Sequence, residues 1–334
     1  MPHHITLIAG DGIGPEVATA TQKVIDALGV HVIWDEQDAG LGSLKKHGSA
    51  LPECTLNSIR KNTVALKGPT TTPVGEGHIS ANVQLRRTFD LYASVRPVRS
   101  VLGVKTRFED VDLVIFRENT EGLYAGLENE ISNGVILSIK VVTEKATRRI
   151  AKAAFEYAAK KGRKKVTVSH KANIMKLGDG FFLKVVREVA QNYPAIKLEE
   201  VIIDALCMNL VSNPSKYDVL VMENLYGDIV SDLCAGLVGG LGLVPGANIG
   251  EEVAIFEAVH GSAADLAGKG VANPTALLKS ACMMLEHLGE LSAGERLETA
   301  INQVLATGKI RTCDLGGTAS TNEYADAIIA ALSR

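Results

Sequence analysis

The stretch Asn224-Leu225-Tyr226-Gly227-Asp228-Ile229-Val230-Ser231-Asp232 decides how this chain is read. It follows an apolar run, Tyr217 to Met222 (YDVLVM), that reads as a buried strand, and it leads into an apolar, glycine-rich helix, Leu233 to Gly240. On a helix Asp228 and Asp232 share one face, with roughly 6 Å between their β-carbons. Two carboxylates that close repel unless a cation lies between them. Hard oxygen ligands held this way suit Mg2+ or Mn2+. A plainer reading stays open: Asp228 caps the helix and Asp232 complements the positive end of its dipole.

Just upstream, Val201 to Asp204 (VIID) reads as a strand ending in a carboxylate, which offers Asp204 as a third ligand. Val166 to Ser169 is another strand, followed by His170-Lys171-Ala172-Asn173. Lys171 past a strand end is a proton acceptor if desolvated, and otherwise a surface lysine. Glu144 to Lys161 is an amphipathic helix with a basic end. Gly122 to Val142 reads as two strands with a turn at Ser132-Asn133-Gly134. A lone hairpin is marginal in water, so it needs something to pair with, such as another copy of the chain. Tyr124 stands at its start, where an isolated tyrosine is ordinarily packing.

Further toward the N-terminus, Ile5 to Ala9 is a buried parallel strand feeding Gly10-Asp11-Gly12-Ile13-Gly14-Pro15-Glu16. Pro15 occupies the third glycine position of GxGxxG, so the Rossmann fingerprint is absent. A tight turn into a helix running to about Leu28 accounts for the loop at least as well as a ligand does. Val30 to Glu36 and Thr63 to Leu66 read as strands, the latter ending in Lys67-Gly68-Pro69-Thr70-Thr71-Thr72-Pro73. Open α/β sheets bind ligands at such strand ends. Ser80, Asn82 and Arg86 follow closely and converge if a loop leads into a helix. Arg96 and Arg117 lie at the edges of apolar, strand-like runs, where a desolvated guanidinium needs a partner. One such arginine is structural by default. Arg86, Arg96 and Arg117 on separate elements suggest a pocket for a polycarboxylate.

Toward the C-terminus, Gly239 to Gly250 reads as a glycine-rich turn. Ala254 to Val259 is a strand ending in His260-Gly261-Ser262-Ala263-Ala264-Asp265. His260 fits a cofactor contact and a structural histidine equally. Asn273-Pro274-Thr275 caps an apolar helix, Ala276 to Leu288, and a last helix covers Asn322 to Leu332.

Composition bounds the function. The chain has 334 residues, 46% of them hydrophobic, enough for a large core in two domains or one large one. Its net charge of −3 gives no polyanion-binding bias, so nucleic acid is not an expected partner. No apolar run reaches the roughly 18 to 20 residues of a membrane span. None of the five cysteines forms a CxxC pair, and the N-terminus (MPHHITLIAG) lacks a signal-peptide layout. A soluble, cytoplasmic protein with reduced thiols is the expectation.

The strings GDGIGPE, KGPTTTPVG, RENTEGLY, HKANIM, NLYGDIVSDLCAGLVGGLG and HGSAADLAGKGVANPTA together resemble the β-decarboxylating dehydrogenases. That family includes isocitrate, homoisocitrate, 3-isopropylmalate and tartrate dehydrogenases, and the likeness covers nearly the whole chain. It implies an α/β isocitrate/isopropylmalate dehydrogenase-like fold: two α/β domains sharing a long sheet, not a classical Rossmann fold. The large domain would be discontinuous, about 1–91 plus 239–334, with a small domain at about 92–238. The hairpin 122–142 would be a clasp at the interface of a homodimer or higher homo-oligomer with shared active sites.

The same resemblance implies roles. Ser80, Asn82, Arg86, Arg96 and Arg117 would hold the carboxylates of a small tricarboxylate. The Ser-x-Asn pair goes with isocitrate in this family. Asp228 and Asp232, with Asp204 from a second copy, would bind Mg2+ or Mn2+. Lys171, also from the second copy, and Tyr124 would handle protons. His260, Gly261, Ser262, Ala263, Asp265 and Asn273 would hold adenosine, with Ile13, Thr72 and Glu257 nearby. Asp265 stands where NADP-using relatives place a lysine, and no basic residue lies between Arg311 and Arg334. A carboxylate accepts from a ribose 2′-hydroxyl and repels a 2′-phosphate, so NAD is the expected cofactor. The implied activity is oxidative decarboxylation of isocitrate. The alternatives are homoisocitrate, then 3-isopropylmalate or tartrate, or a non-catalytic regulatory subunit. Ala264 replaces a proline usual in the adenosine loop, and Glu223 stands before Asn224 where many relatives have Thr or Pro.

Overall fold

Short apolar runs alternate with amphipathic helices along this chain, and that alternation builds a sheet with helices on both faces. The computed structural model describes residues 2–71 and 80–332. In chain order the first third forms β1 (His3–Ile8), α1 (Gly14–Ala27), β2 (Val32–Gln37), α2 (Leu41–His47), α3 (Glu53–Asn62), β3 (Val64–Lys67), α4 (Ala81–Thr88) and β4 (Ala93–Arg99). Then come β5 (Asp112–Glu118), β6 (Gly122–Ser132), β7 (Val135–Val141), α5 (Glu144–Lys160), β8 (Lys165–His170) and α6 (Gly178–Ala190). β9 (Lys197–Ile202), α7 (Ile203–Ser212), β10 (Val219–Met222) and α8 (Asn224–Leu237) follow. The chain closes with β11 (Pro245–Ile249), β12 (Ala254–Ala258), α9 (Thr275–His287), α10 (Leu291–Thr307) and α11 (Thr321–Leu332).

Ten strands form one sheet in the order β2-β1-β3-β12-β11-β4-β5-β10-β8-β9. The outer strands pair parallel, while β12, β11, β4 and β5 pair antiparallel at the centre. The strands on one side of the β11–β4 junction come from 1–91 and 239–334, those on the other from 92–238. Parallel strands covered on both faces are apolar throughout: Val219, Leu220, Val221 and Met222 of β10 are fully buried. β6 and β7 stand apart as a two-stranded antiparallel sheet turning at Asn133-Gly134. Leu127, Ile131, Ile136, Leu137 and Ile139 are exposed along that hairpin.

Three expectations are corrected. Val201 to Asp204 is not a strand ending in a carboxylate. β9 ends at Ile202, and Asp204 lies in the first turn of α7. Leu206 and Leu210, four apart and fully buried, give that segment a helical period. The turn expected at Gly239 to Gly250 contains β11, whose small residues fit between β12 and β4. The helix expected from Leu233 starts at Asn224, so both aspartates lie inside α8.

Candidate active site

α8 is started by Glu223. Its carboxylate accepts from the Leu225 and Tyr226 N–H groups at 3.3 Å each, which leaves Asp228 in the second turn rather than at the cap. The capping reading of Asp228 therefore fails, and Glu223, unexplained from sequence, has a role. Burial raises the Glu223 carboxyl, and Lys140, 3.5 Å away, opposes that rise. Lys140 also donates to buried Asp179 at 2.6 Å and lies over the Tyr226 ring at 4.6 Å. Asp179 in turn accepts the Lys171 backbone N–H at 2.6 Å. Lys140 thus ties the Lys171 loop to the start of α8, a link that no sequence spacing announced.

The aspartates of α8 meet two arginines from two other elements, and a third lines the same cavity. Arg117, near the end of β5 and 1% exposed, bonds Asp228 directly and donates to Asn224 Oδ1 at 2.7 and 3.0 Å. Its guanidinium lies 5.0 Å from the Tyr124 ring centre, and the Tyr124 hydroxyl donates to Asp228. Arg96 sits in the middle of β4, not at its edge, 3.9 Å from Asp228 and 3.8 Å from Asp232. Within the single chain, then, the cation between the two carboxylates is a guanidinium. Arg86 on α4 stands 4.0 Å from Glu257, and its Nε is buried with no partner among the described residues.

These charges move one another's proton affinities. Burial, with Arg117 and Arg86 close by, draws the Arg96 guanidinium down to about 10. Burial would raise Asp228, but Arg117 and the Tyr124 hydroxyl hold it below the ordinary carboxylate range. Asp232 goes the other way: burial and its neighbour Asp228 outweigh Arg96. Burial and the bond to Asp228 raise the Tyr124 phenol, so it is a proton donor at neutral pH. Glu257 would be raised by burial, yet Lys67 at 2.6 Å, Arg86 and the Asn248 amide bring it down to about 2.

A cavity of about 200 Å3 opens over this cluster, lined by Asn82, Arg86, Arg96, Asp228, Asp232 and Glu257 among others. His260 and Gly261 line it too. Ser80 precedes α4 and is not among its lining residues. Asn82 accepts from the Thr70 hydroxyl at 3.1 Å. Lys171 and Asp204 pair with each other outside this cavity, both partly exposed, so one chain alone does not desolvate Lys171. Among the described residues no three acidic, His or Cys side chains converge as a metal site.

The loop expected to hold adenosine packs on the first loop of the chain. Ile13 is buried and donates its N–H to Ser262 O at 2.9 Å, and Thr71 bonds the Ser262 hydroxyl at 2.6 Å. A Cβ on Gly12 would lie 1.9 Å from that same carbonyl. Asp11 accepts from Leu41, Gly42 and Thr71 N–H groups, so its carboxylate is spent on bracing. Ala263 is left-handed at φ 39°, and Asp265 is exposed. Asn273 is buried and accepts from Thr275, while donating to Asp314 at 2.9 Å. His260 Nε2 is buried without a partner among the described residues. Thr72 lies outside the described residues.

The chain belongs to the isocitrate/isopropylmalate dehydrogenase family, whose model matches residues 4–328, and it is an oxidoreductase. It is 53% identical over 330 residues to the alpha chain of a probable mitochondrial NAD isocitrate dehydrogenase of Drosophila melanogaster, covering 98% of this chain and 87% of that one. It is 52% identical to a regulatory chain of the mitochondrial NAD isocitrate dehydrogenase of Dictyostelium discoideum, covering 97% and 90%. A crystal structure of isocitrate dehydrogenase from Methylococcus capsulatus superposes with a TM-score of 0.97 at 52% identity, covering 99% and 100%. The cytoplasmic expectation is overturned, because the curated relatives from animals, plants and fungi carry mitochondrial names. Free thiols indicate a reducing compartment without saying which one.

Proposed function

We propose that the chain is an NAD-dependent isocitrate dehydrogenase that converts isocitrate to 2-oxoglutarate and CO2. The observation carrying this reading is the pairing of Arg96 and Arg117 with the Asp228–Asp232 pair, with Arg86 lining the same cavity as Arg96 and both aspartates. Three guanidiniums would answer three carboxylates, and the charges of Arg86, Arg96, Asp228, Asp232 and Glu257 in the lining favour a polar substrate over a branched apolar one. Asn82 and Ser80 would complete recognition at the mouth of α4.

Asp228 and Asp232, with Asp204 of a second copy, would hold Mg2+ or Mn2+. The donor set is all carboxylate oxygen, which fits a hard cation. When bound, the metal would lower the pKa of the substrate hydroxyl and stabilise enolate charge after CO2 leaves. NAD would accept the hydride, with Ile13, Thr72, Glu257, His260, Gly261, Ser262, Ala263, Asp265 and Asn273 around it. Lys171 of the second copy accepts the hydroxyl proton, relayed through Asp204. Tyr124, whose phenol stays protonated, delivers a proton to carbon. Asp265 favours NAD over NADP by repelling a 2′-phosphate.

The reading needs a homodimer or larger assembly, because Lys171 and Asp204 do not line their own chain's cavity. The exposed apolar hairpin β6–β7 would be the clasp between copies. The large domain would comprise 1–91 and 239–334, the small one 92–238, meeting at β11–β4.

A second reading, a regulatory chain that works only beside a different catalytic one, is favoured by the Dictyostelium relative's name. One assay separates them. The purified chain is given isocitrate, homoisocitrate, 3-isopropylmalate or tartrate, with Mg2+ and NAD+ or NADP+ in parallel. NADH from isocitrate is expected, and no reduction of either cofactor on any substrate overturns the proposal.

A further inference from the structure

The strands that floor the active-site cavity also floor a second one. On β4, Ser94 and Arg96 face the first cavity, while Val95, Pro97 and Arg99 face the other way. On β11, Gly246 and Asn248 face the first, and Pro245 and Ile249 the second. On β12, Glu257 and Phe256 divide likewise. Side chains alternate across a strand, so two cavities lie back to back with one layer of sheet between them. The rear one is about 590 Å3, within the size range of small-molecule sites, and is walled by α5, α9 and α10.

Lys279 of α9 lines this rear cavity and makes no hydrogen bond or ion pair among the described residues. It is partly buried, and that burial lowers its ammonium below the usual lysine value. Glu298, the acid that opposes this, is itself 3.5 Å from Arg99. Glu286 is taken by Lys161 at 2.6 Å, and Glu295 is exposed. A partly buried ammonium with no ion-pair partner is costly, and an incoming anion offsets that cost. Val95, Ile249 and the Phe256–His287 ring pair at 5.6 Å give the wall an apolar part, beside Tyr157 and Lys160.

We propose that the rear cavity binds a small organic anion, a single carboxylate or phosphate on an apolar or aromatic body, with Lys279 as its charge partner. Because the floor is shared with Arg96, Asn248 and Glu257, occupancy shifts the strands that present the active-site residues. The regulatory part rests on the function proposed above, whereas binding does not.

Phenyl phosphate is the probe, titrated by calorimetry into the whole protein, with benzyl alcohol as the uncharged control. Saturable binding of phenyl phosphate alone is expected. Lys279→Met, close in shape and uncharged, should weaken it at least tenfold, and Lys279→Arg should restore most of it. Thermal melts of both variants confirm folding. Turnover assays should show phenyl phosphate changing KM for isocitrate in the parent and not in Lys279→Met. Absence of binding overturns the proposal. So does binding that survives Lys279→Met and is displaced by isocitrate, since the anion then sits among the front arginines. A chain that binds phenyl phosphate through Lys279 yet turns over no isocitrate refutes only the assigned function.

Discussion

Gly227 and Arg117 occupy each other's space: a Cβ on Gly227 would lie 2.4 Å from Arg117 Cγ and 2.6 Å from its Cβ. The glycine is not in a left-handed conformation, so its role is room rather than backbone freedom. The arginine stem crosses α8 there to reach Asn224 and Asp228. Gly227→Ala should push Arg117 off both. A loss of about 1–3 kcal/mol in stability is expected from overpacking. A fall in kcat/KM well beyond what that instability explains should accompany it. An alanine variant with unchanged KM and kcat would show that Arg117 does not need this path.

Asp228 is drawn in two directions, toward Arg117 and Tyr124 in the chain and toward a metal in the proposed reaction. Asp228→Asn keeps the shape and removes the charge. Turnover should fall by about 10³-fold, the scale on which lost transition-state charge stabilisation is felt. Mn2+ affinity, read by electron paramagnetic resonance, should fall with it, and a chelator should silence the parent enzyme reversibly. Undiminished Mn2+ binding in the variant would remove Asp228 from the ligand set.

Lys140 serves two buried carboxylates, Asp179 and Glu223, that otherwise have no cation among the described residues. Lys140→Met should destabilise the fold by about 3–5 kcal/mol, the usual result of stranding buried charge. Urea unfolding measures this. Because Asp179 also holds the Lys171 backbone, kcat should drop more than KM rises. The double change Lys140→Met with Asp179→Asn should recover part of the stability.

The pH dependence of stability should carry the mark of Glu257. Its carboxyl lies at about 2, below an ordinary value of 4.5, so the charged form stabilises the fold. The contribution is whole above pH 4.5 and is lost as the pH falls toward 2. It is on the order of 3 kcal/mol at neutral pH. Lys67→Met removes the main force lowering that pKa, leaving burial to raise it. The variant should be weaker at pH 7, and the stability it loses between pH 4.5 and 2 should be smaller than the parent's by the Glu257 contribution. Parallel acid-unfolding curves for the two proteins would contradict this account.

Much of this was legible before any fold was seen. The strands β1, β3, β10 and β12 announced themselves as apolar runs because strands covered on both faces need not alternate. The hairpin was readable from Asn133-Gly134, and α5 from its period. β11 was not, because Pro-Gly-Ala-Asn-Ile carries no strand signal of its own, and pairing on both sides overrides weak propensity. The start of α7 was mistaken for a strand end because three apolar letters fit either period. Asp179 and Lys140 carried no signal, and Glu223 stood out only as a departure from relatives, because ion pairs across long sequence distances leave no spacing.

The sequence by itself determined the family, the strand-and-helix alternation and the residue types that carry charge, because local pattern and long matching strings need no folding to be read. Only the tertiary structure decided that Arg96 lies between two aspartates, that Glu223 rather than Asp228 caps α8, and that one layer of sheet separates two cavities. Those facts depend on which strands become neighbours, and neighbours in a sheet are chosen by burial over the whole chain rather than by any stretch of it.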